Sequence, residues 1–143
     1  MPFPNISHCI VCEEVREEPR GLSTILGFYG IAPNVDILLH DFTKPLPRLT
    51  FFLLADRGQG RFMVSLQLKD EEGTVLKETP ELELSMADPT RRNSWAFVWG
   101  SPLFPRPGQY GFVFKVSGQA YYEASFQVRQ GESRDFVRID DLT

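Results

Sequence analysis

The residues with the clearest chemical potential stand near the start of the chain, where Cys9 and Cys12 are separated by two positions and His8 lies beside them. A CxxC with a neighbouring histidine is the pattern of a zinc site or a redox dithiol. Here it sits in HCIVCEEVR, residues 8–16, which reads as a strand. Successive side chains of a strand alternate between faces, so two thiols three positions apart point in opposite directions. There is no second CxxC, and His40 is the one other histidine. A redox pair would also want a helix N-terminus to hold a thiolate, whereas Glu13 and Glu14 follow at once. The pair is therefore expected to be two buried structural thiols, with no metal and no cofactor.

Other catalytic patterns are equally thin. With His8 and His40 as the two imidazoles, a nucleophile and base would have to be assembled from distant residues. Gly100-Ser101-Pro102 lacks the flanking glycines and the strand-to-helix context of a nucleophile elbow. Gly58-Gln59-Gly60 has no Lys-Ser/Thr pair after it and fits a hairpin turn rather than a phosphate loop. Carboxylates cluster at Asp70, Glu71 and Glu72 and recur at Asp36, Asp41 and Asp56, without the repeated spacing of a calcium loop. No catalytic, cofactor or metal residue is nominated, and the expectation is that the chain is not an enzyme.

The elements that hold these residues are most legible at residues 94–129. Tyr110, Phe112, Phe114 and Val116 share one strand parity, and after a Ser117-Gly118 turn Tyr122, Ala124, Phe126 and Val128 do the same. Period-two alternation on both sides of a glycine turn predicts an antiparallel hairpin with one buried face. Trp95, Phe97 and Trp99 supply a third strand's inward side chains. Phe62, Val64, Leu66 and Leu68 alternate with Arg61, Ser65, Gln67 and Lys69, predicting a strand with a wet outer face. Residues 22–32 form another strand, with Ile25 and Tyr29 toward the core and a bulge expected from Gly27 and Gly30. Residues 34–42 fit either an edge strand or an irregular crossover. Residues 48–57 are apolar on both parities, the mark of a strand covered on each face or exposed at an interface. Leu82, Leu84 and Met86 are expected to face inward on a further short strand.

Seven to nine short strands and no helical pattern predict an all-β fold, an antiparallel two-sheet β-sandwich of immunoglobulin-like character, with a closed barrel as the other arrangement. Residues 1–130 form its single domain, and residues 131–143 are a terminal tail or an added edge strand. Pro107-Gly108-Gln109-Tyr110-Gly111-Phe112 resembles the immunoglobulin-type corner, in which a tyrosine hydroxyl bonds back to the preceding loop. Phe112 stands where an antibody-type domain places a disulfide cysteine, so the resemblance implies the wider sandwich class. Cys12 through Glu18, the run Leu26-Gly27-Phe28-Tyr29-Gly30, and the closing segments GQYGFVFKVSG and ASFQVR are similar to a family of short uncharacterised bacterial proteins, a domain of unknown function. That resemblance implies a bacterial, stand-alone β domain and assigns no activity.

Composition narrows the partners. The net charge of -4 repels a phosphate backbone, so no nucleic acid is expected. No apolar run approaches a membrane span, and the N-terminus has no secretory pattern, so the expected place is the cytoplasm, away from membrane. Aromatics make up 13% of the chain, which suits strands that gain large buried area per residue. The expected role is binding: a non-catalytic module for a protein partner or for self-association, with a small-ligand or carbohydrate-binding module as the alternative. The candidate surface residues are Phe52, Trp95, Trp99, Tyr121 and Phe136. Tyr121 lies off parity from the inward set, Phe52 belongs to the two-sided strand, the tryptophans share a parity, and Phe136 sits in the strand-like tail.

Overall fold

The computed structural model describes residues 2–131 and 137–141. Ten strands follow one another: β1 (Ile6–Glu17), β2 (Ser23–Ile31), β3 (Asn34–Leu39), β4 (Arg48–Arg57), β5 (Gly60–Lys69), β6 (Val75–Glu78), β7 (Leu82–Met86), β8 (Arg92–Gly100), β9 (Gly108–Val116) and β10 (Gln119–Gln130). One 3-10 turn, Pro19–Gly21, links β1 to β2. The strands form a single open sheet in the order β6-β5-β9-β10-β3-β2-β1-β4-β8, and β7 adds to β5 beside β6.

The strand count and one pairing direction depart from the sequence expectation, and Ile25 and Leu82, expected toward the core, are 36% and 38% exposed. Among the described residues there are ten strands rather than seven to nine, and β10 pairs with β3 in parallel, so the sheet is mixed rather than wholly antiparallel. The ambiguous segment after Asn34 is responsible. β3 touches β2 at only two residue pairs and then runs alongside the end of β10, joining the two halves of the sheet.

Side chains from strands far apart in this order meet. Phe51 on β4 stacks on Phe112 of β9, with ring centroids 4.2 Å apart and planes 7° from parallel. Trp95 and Phe97 of β8 pack on Phe114 of β9. Phe3, ahead of β1, contacts Phe62, Trp95, Phe114 and Tyr121 and closes one end of this aromatic core. Alternation dictates the core, since Leu49, Phe51, Leu53 and Ala55 of β4 and Tyr110, Phe112 and Phe114 of β9 are all buried.

The hairpin of β9 and β10 turns through Ser117 and Gly118, at φ 52° and 79°. Positive φ at both central residues is the two-residue turn whose twist suits adjoining strands. At the other end of β9, the Tyr110 hydroxyl donates to the Arg106 carbonyl at 2.6 Å, tying the incoming loop to the strand. The expected wet face of β5 is not wet at its centre. Ser65 and Gln67 are each 6% exposed, because Lys115 and Val113 of β9 lie opposite them and Gln67 Nε2 donates to Glu78 of β6.

Candidate functional site: an apolar outer sheet face

Where one face of a strand meets the core, the other face normally carries polar residues. Residues directly opposite one another on paired strands share a face, so the register fixes what that outer surface contains. Across β8, β4, β1 and β2 one outer row is Ala96, Phe52, Ile10 and Ile31, and the next is Val98, Thr50, Cys12 and Phe28. Phe28 is 58% exposed, Val98 54% and Ile31 42%, so this row pair presents large apolar side chains to solvent.

The middle of the patch is closed by its own neighbours. Phe52 is 7% exposed, flanked by Ile10 and Ala96, and Thr50 and Cys12 are fully covered. Thr50 Oγ1 donates to the Glu13 carbonyl at 2.8 Å, which satisfies the one buried hydroxyl here. Polar groups bound the patch at both ends. Arg48 pairs with Glu14 at 2.8 Å, and Arg16 reaches the same carboxylate at 3.5 Å. At the opposite end Ser7, His8, Arg92 and Asn93 line a depression of about 540 Å³ beside Leu54. An apolar centre with a polar rim is the anatomy of a protein interface.

The outer rows of β5, β9 and β10 make the contrast. Gln67, Val113 and Glu123 share one row, Lys69, Gly111 and Ser125 another, and Gln109 faces Gln127. Hairpin strands of the same chain thus carry the usual polar exterior, while the other half of the sheet does not.

A bulge places Phe28 and Ile31 together. The β1–β2 register shifts between Val11 and Cys12, and Gly27 and Gly30 adopt φ 64° and 145° on the opposing strand. The extra residue, Tyr29, turns its ring toward the core, which lets residues three apart share the outer side. A side chain at Gly30 would collide with the Asn34 carbonyl oxygen. Burial and the adjacent Glu13 push the Tyr29 hydroxyl up to about 12.

Comparison with known proteins adds nothing to this geometry. No protein-family model matches the chain, and no curated protein matches it in sequence.

The sequence-nominated residues fall in separate places. Phe52 lies at the centre of the outer patch. Trp99 is 5% exposed and belongs to the core against Phe51 and Phe112. Trp95, half-buried, packs against Phe3 and Phe114. Tyr121 remains 43% exposed, but its hydroxyl donates to the carbonyls of Phe3 at 2.8 Å and Pro4 at 3.2 Å. Phe136 lies outside the described residues. Nothing in the reading of the chain singled out Phe28, Ile31 or Val98 as exposed. Val98 carried a signal, being apolar and off parity between inward Phe97 and Trp99.

The CxxC has the geometry its parity predicts. Cys9 pairs with Leu53 on the core side and Cys12 with Thr50 on the outer side. Burial pushes the Cys9 thiol up to about 12 and the Cys12 thiol to about 11. At the rim, the Ser7 hydroxyl donates to the Leu54 carbonyl at 3.0 Å. His8 Nδ1 lies 3.2 Å from the same Ser7 Oγ.

Proposed function

We propose that this chain is a non-catalytic protein-interaction module, an immunoglobulin-like β-sandwich that presents the outer face of β2, β1, β4 and β8 to a protein partner. The observation that carries the reading is the contrast between two outer faces: rows centred on Phe28, Ile31, Phe52 and Val98 on one, and rows rich in Gln, Lys, Glu and Ser on the other. Large apolar side chains exposed on two strands of one sheet face, with a charged rim, cost solubility when left open, and their cover is most often another protein.

Two arguments support the sandwich form. Strands β4 and β8 pack face to face on β9 through stacked rings, and the Tyr110 hydroxyl makes the corner bond of immunoglobulin-type domains. The resemblance to short bacterial proteins and two buried free thiols fit a bacterial, cytoplasmic module. Among the described residues, no helix is long and apolar enough to cross a membrane. The carbohydrate reading has less behind it, because sugar platforms need open ring faces, and those of Trp95 and Trp99 are engaged by other aromatic rings.

Affinity capture from cells that make the protein tests this reading with matched variants. Phe28→Asp with Ile31→Asp is expected to lose a protein partner that wild type retains in stoichiometric amount. Ser125→Asp with Gln127→Asp, on the polar outer face, is expected to retain it. Identical recovery by both variants would refute the face as the binding surface.

A further inference from the structure

Strand edges are open templates for pairing, and proteins guard them with charge, proline, bulges or short length. Strand β2, which meets β3 at only two residue pairs, is uncharged along its open edge but is interrupted by its bulge, and β6 and β7 are guarded by length and charge. β6 has four residues and ends in Lys77-Glu78, and β7 has five, with Glu83 within it and Glu81 just ahead of it. β8 differs. It runs nine residues, carries no charge and no proline across residues 93–101, and pairs with β4 in unbroken register from Arg48 opposite Gly100 to Ala55 opposite Asn93.

A groove runs along this edge. A cavity of about 540 Å³ is lined by every residue from 94 to 99, with Leu66, Leu82 and Leu84 on its far wall. Six consecutive residues include both parities, so open space lies against the strand's edge as well as against its inward side chains. Leu82 on the opposite wall is 38% exposed.

We propose that β8 pairs antiparallel with β8 of a second copy of this chain, joining the two sheets edge to edge. The uncharged stretch 93–101 has Phe97 at its midpoint. An antiparallel register centred there opposes the whole uncharged stretch to itself, sets Trp95 opposite Trp99 and Ala96 opposite Val98, and leaves each Arg92 beyond the partner's Ser101. No like charges then face one another, and the pairing closes as a two-fold dimer. The two apolar grooves merge, and Val98 gains an apolar neighbour. Phe28 and Ile31 stay uncovered, so this inference goes beyond the face-binding reading, and either can fail alone.

Sedimentation equilibrium of the full chain tests the state, and cysteine pairing tests the register. The expected mass rises with concentration toward twice the 16.3 kDa of one chain. A mixture of Ala96→Cys and Val98→Cys chains under mild oxidation is expected to yield chiefly the mixed disulfide, since directly opposed Cβ atoms lie about 4.5–5.5 Å apart. Ala96→Lys with Val98→Lys is expected to weaken association at least about tenfold, whereas Phe28→Asp leaves it unchanged. The proposal is overturned by a monomer mass at every concentration, or by equal yields of the 96–96, 98–98 and mixed products. Association that disappears on removal of residues 132–143 would also overturn it, by making the tail the occupant.

Discussion

If the halves of the sheet are held together through their aromatic inner faces, the stack of Phe51 on Phe112 must show as an energetic coupling. Both rings are fully buried and lie 4.2 Å apart, nearly parallel. Substitution by alanine would cost about 3–5 kcal/mol at each site, enough for a double variant to exhaust the 5–15 kcal/mol typical of a domain. Leucine keeps most of the volume, and each single change is expected to cost about 1–2 kcal/mol. Stacked pairs contribute about 0.5–1.5 kcal/mol beyond their buried area, so the double variant should fall short of the sum of the singles by that amount. Urea unfolding followed by the fluorescence of Trp95 and Trp99 supplies the four stabilities by linear extrapolation. Additivity within about 0.3 kcal/mol would mean that the stack does not couple the halves, and would refute the packing argument.

Two further outcomes follow from the bulge and the thiols. Gly30→Ala puts a Cβ against the Asn34 carbonyl at a φ of 145° and is expected to destabilise by more than about 1 kcal/mol, with a melting curve that matches wild type counting against the role given to this bulge. The thiols of Cys9 and Cys12 keep their protons to about 12 and about 11, against an ordinary 9.0, so above pH 9 the native state binds more protons than the unfolded chain. Stability is then full below pH 9 and falls as pH rises toward 12. Native chain should resist thiol reagents at pH 8 and label two cysteines when unfolded; Cys9→Ala should flatten the alkaline decline, and prompt native labelling would contradict the burial.

The sequence carried more of the fold than of the site. The hairpin of β9 and β10 was legible because its core side holds Tyr110, Phe112, Phe114 and Phe126 in strict alternation around a glycine turn. The parallel pairing of β3 was not legible, since no local pattern states which edge a short strand joins or in which direction. Ser65 and Gln67 looked solvated because their cover, Lys115 and Val113, lies about fifty residues away in the chain. The two-sided apolar character of β4 allows either cover on each face or exposure at an interface, and Phe52 and Thr50 on its outer side are covered. The exposed members come from β2 and β8. Gly27 and Gly30 predict a bulge in this strand, yet Phe28 and Ile31 look unrelated at a spacing of three, because which residue is the extra one is a property of the β1–β2 register.

The central claim is that the outer face of β2, β1, β4 and β8 is covered in the cell. Carbene footprinting reads side-chain accessibility residue by residue, so the decisive comparison is the dilute purified chain against the same chain labelled inside cells that make it. Phe28, Ile31 and Val98 should label strongly in the purified chain and be protected in cells, while Tyr121 and Met63, also exposed but elsewhere, label alike in both. Equal labelling of Phe28, Ile31 and Val98 in the two samples would contradict the account.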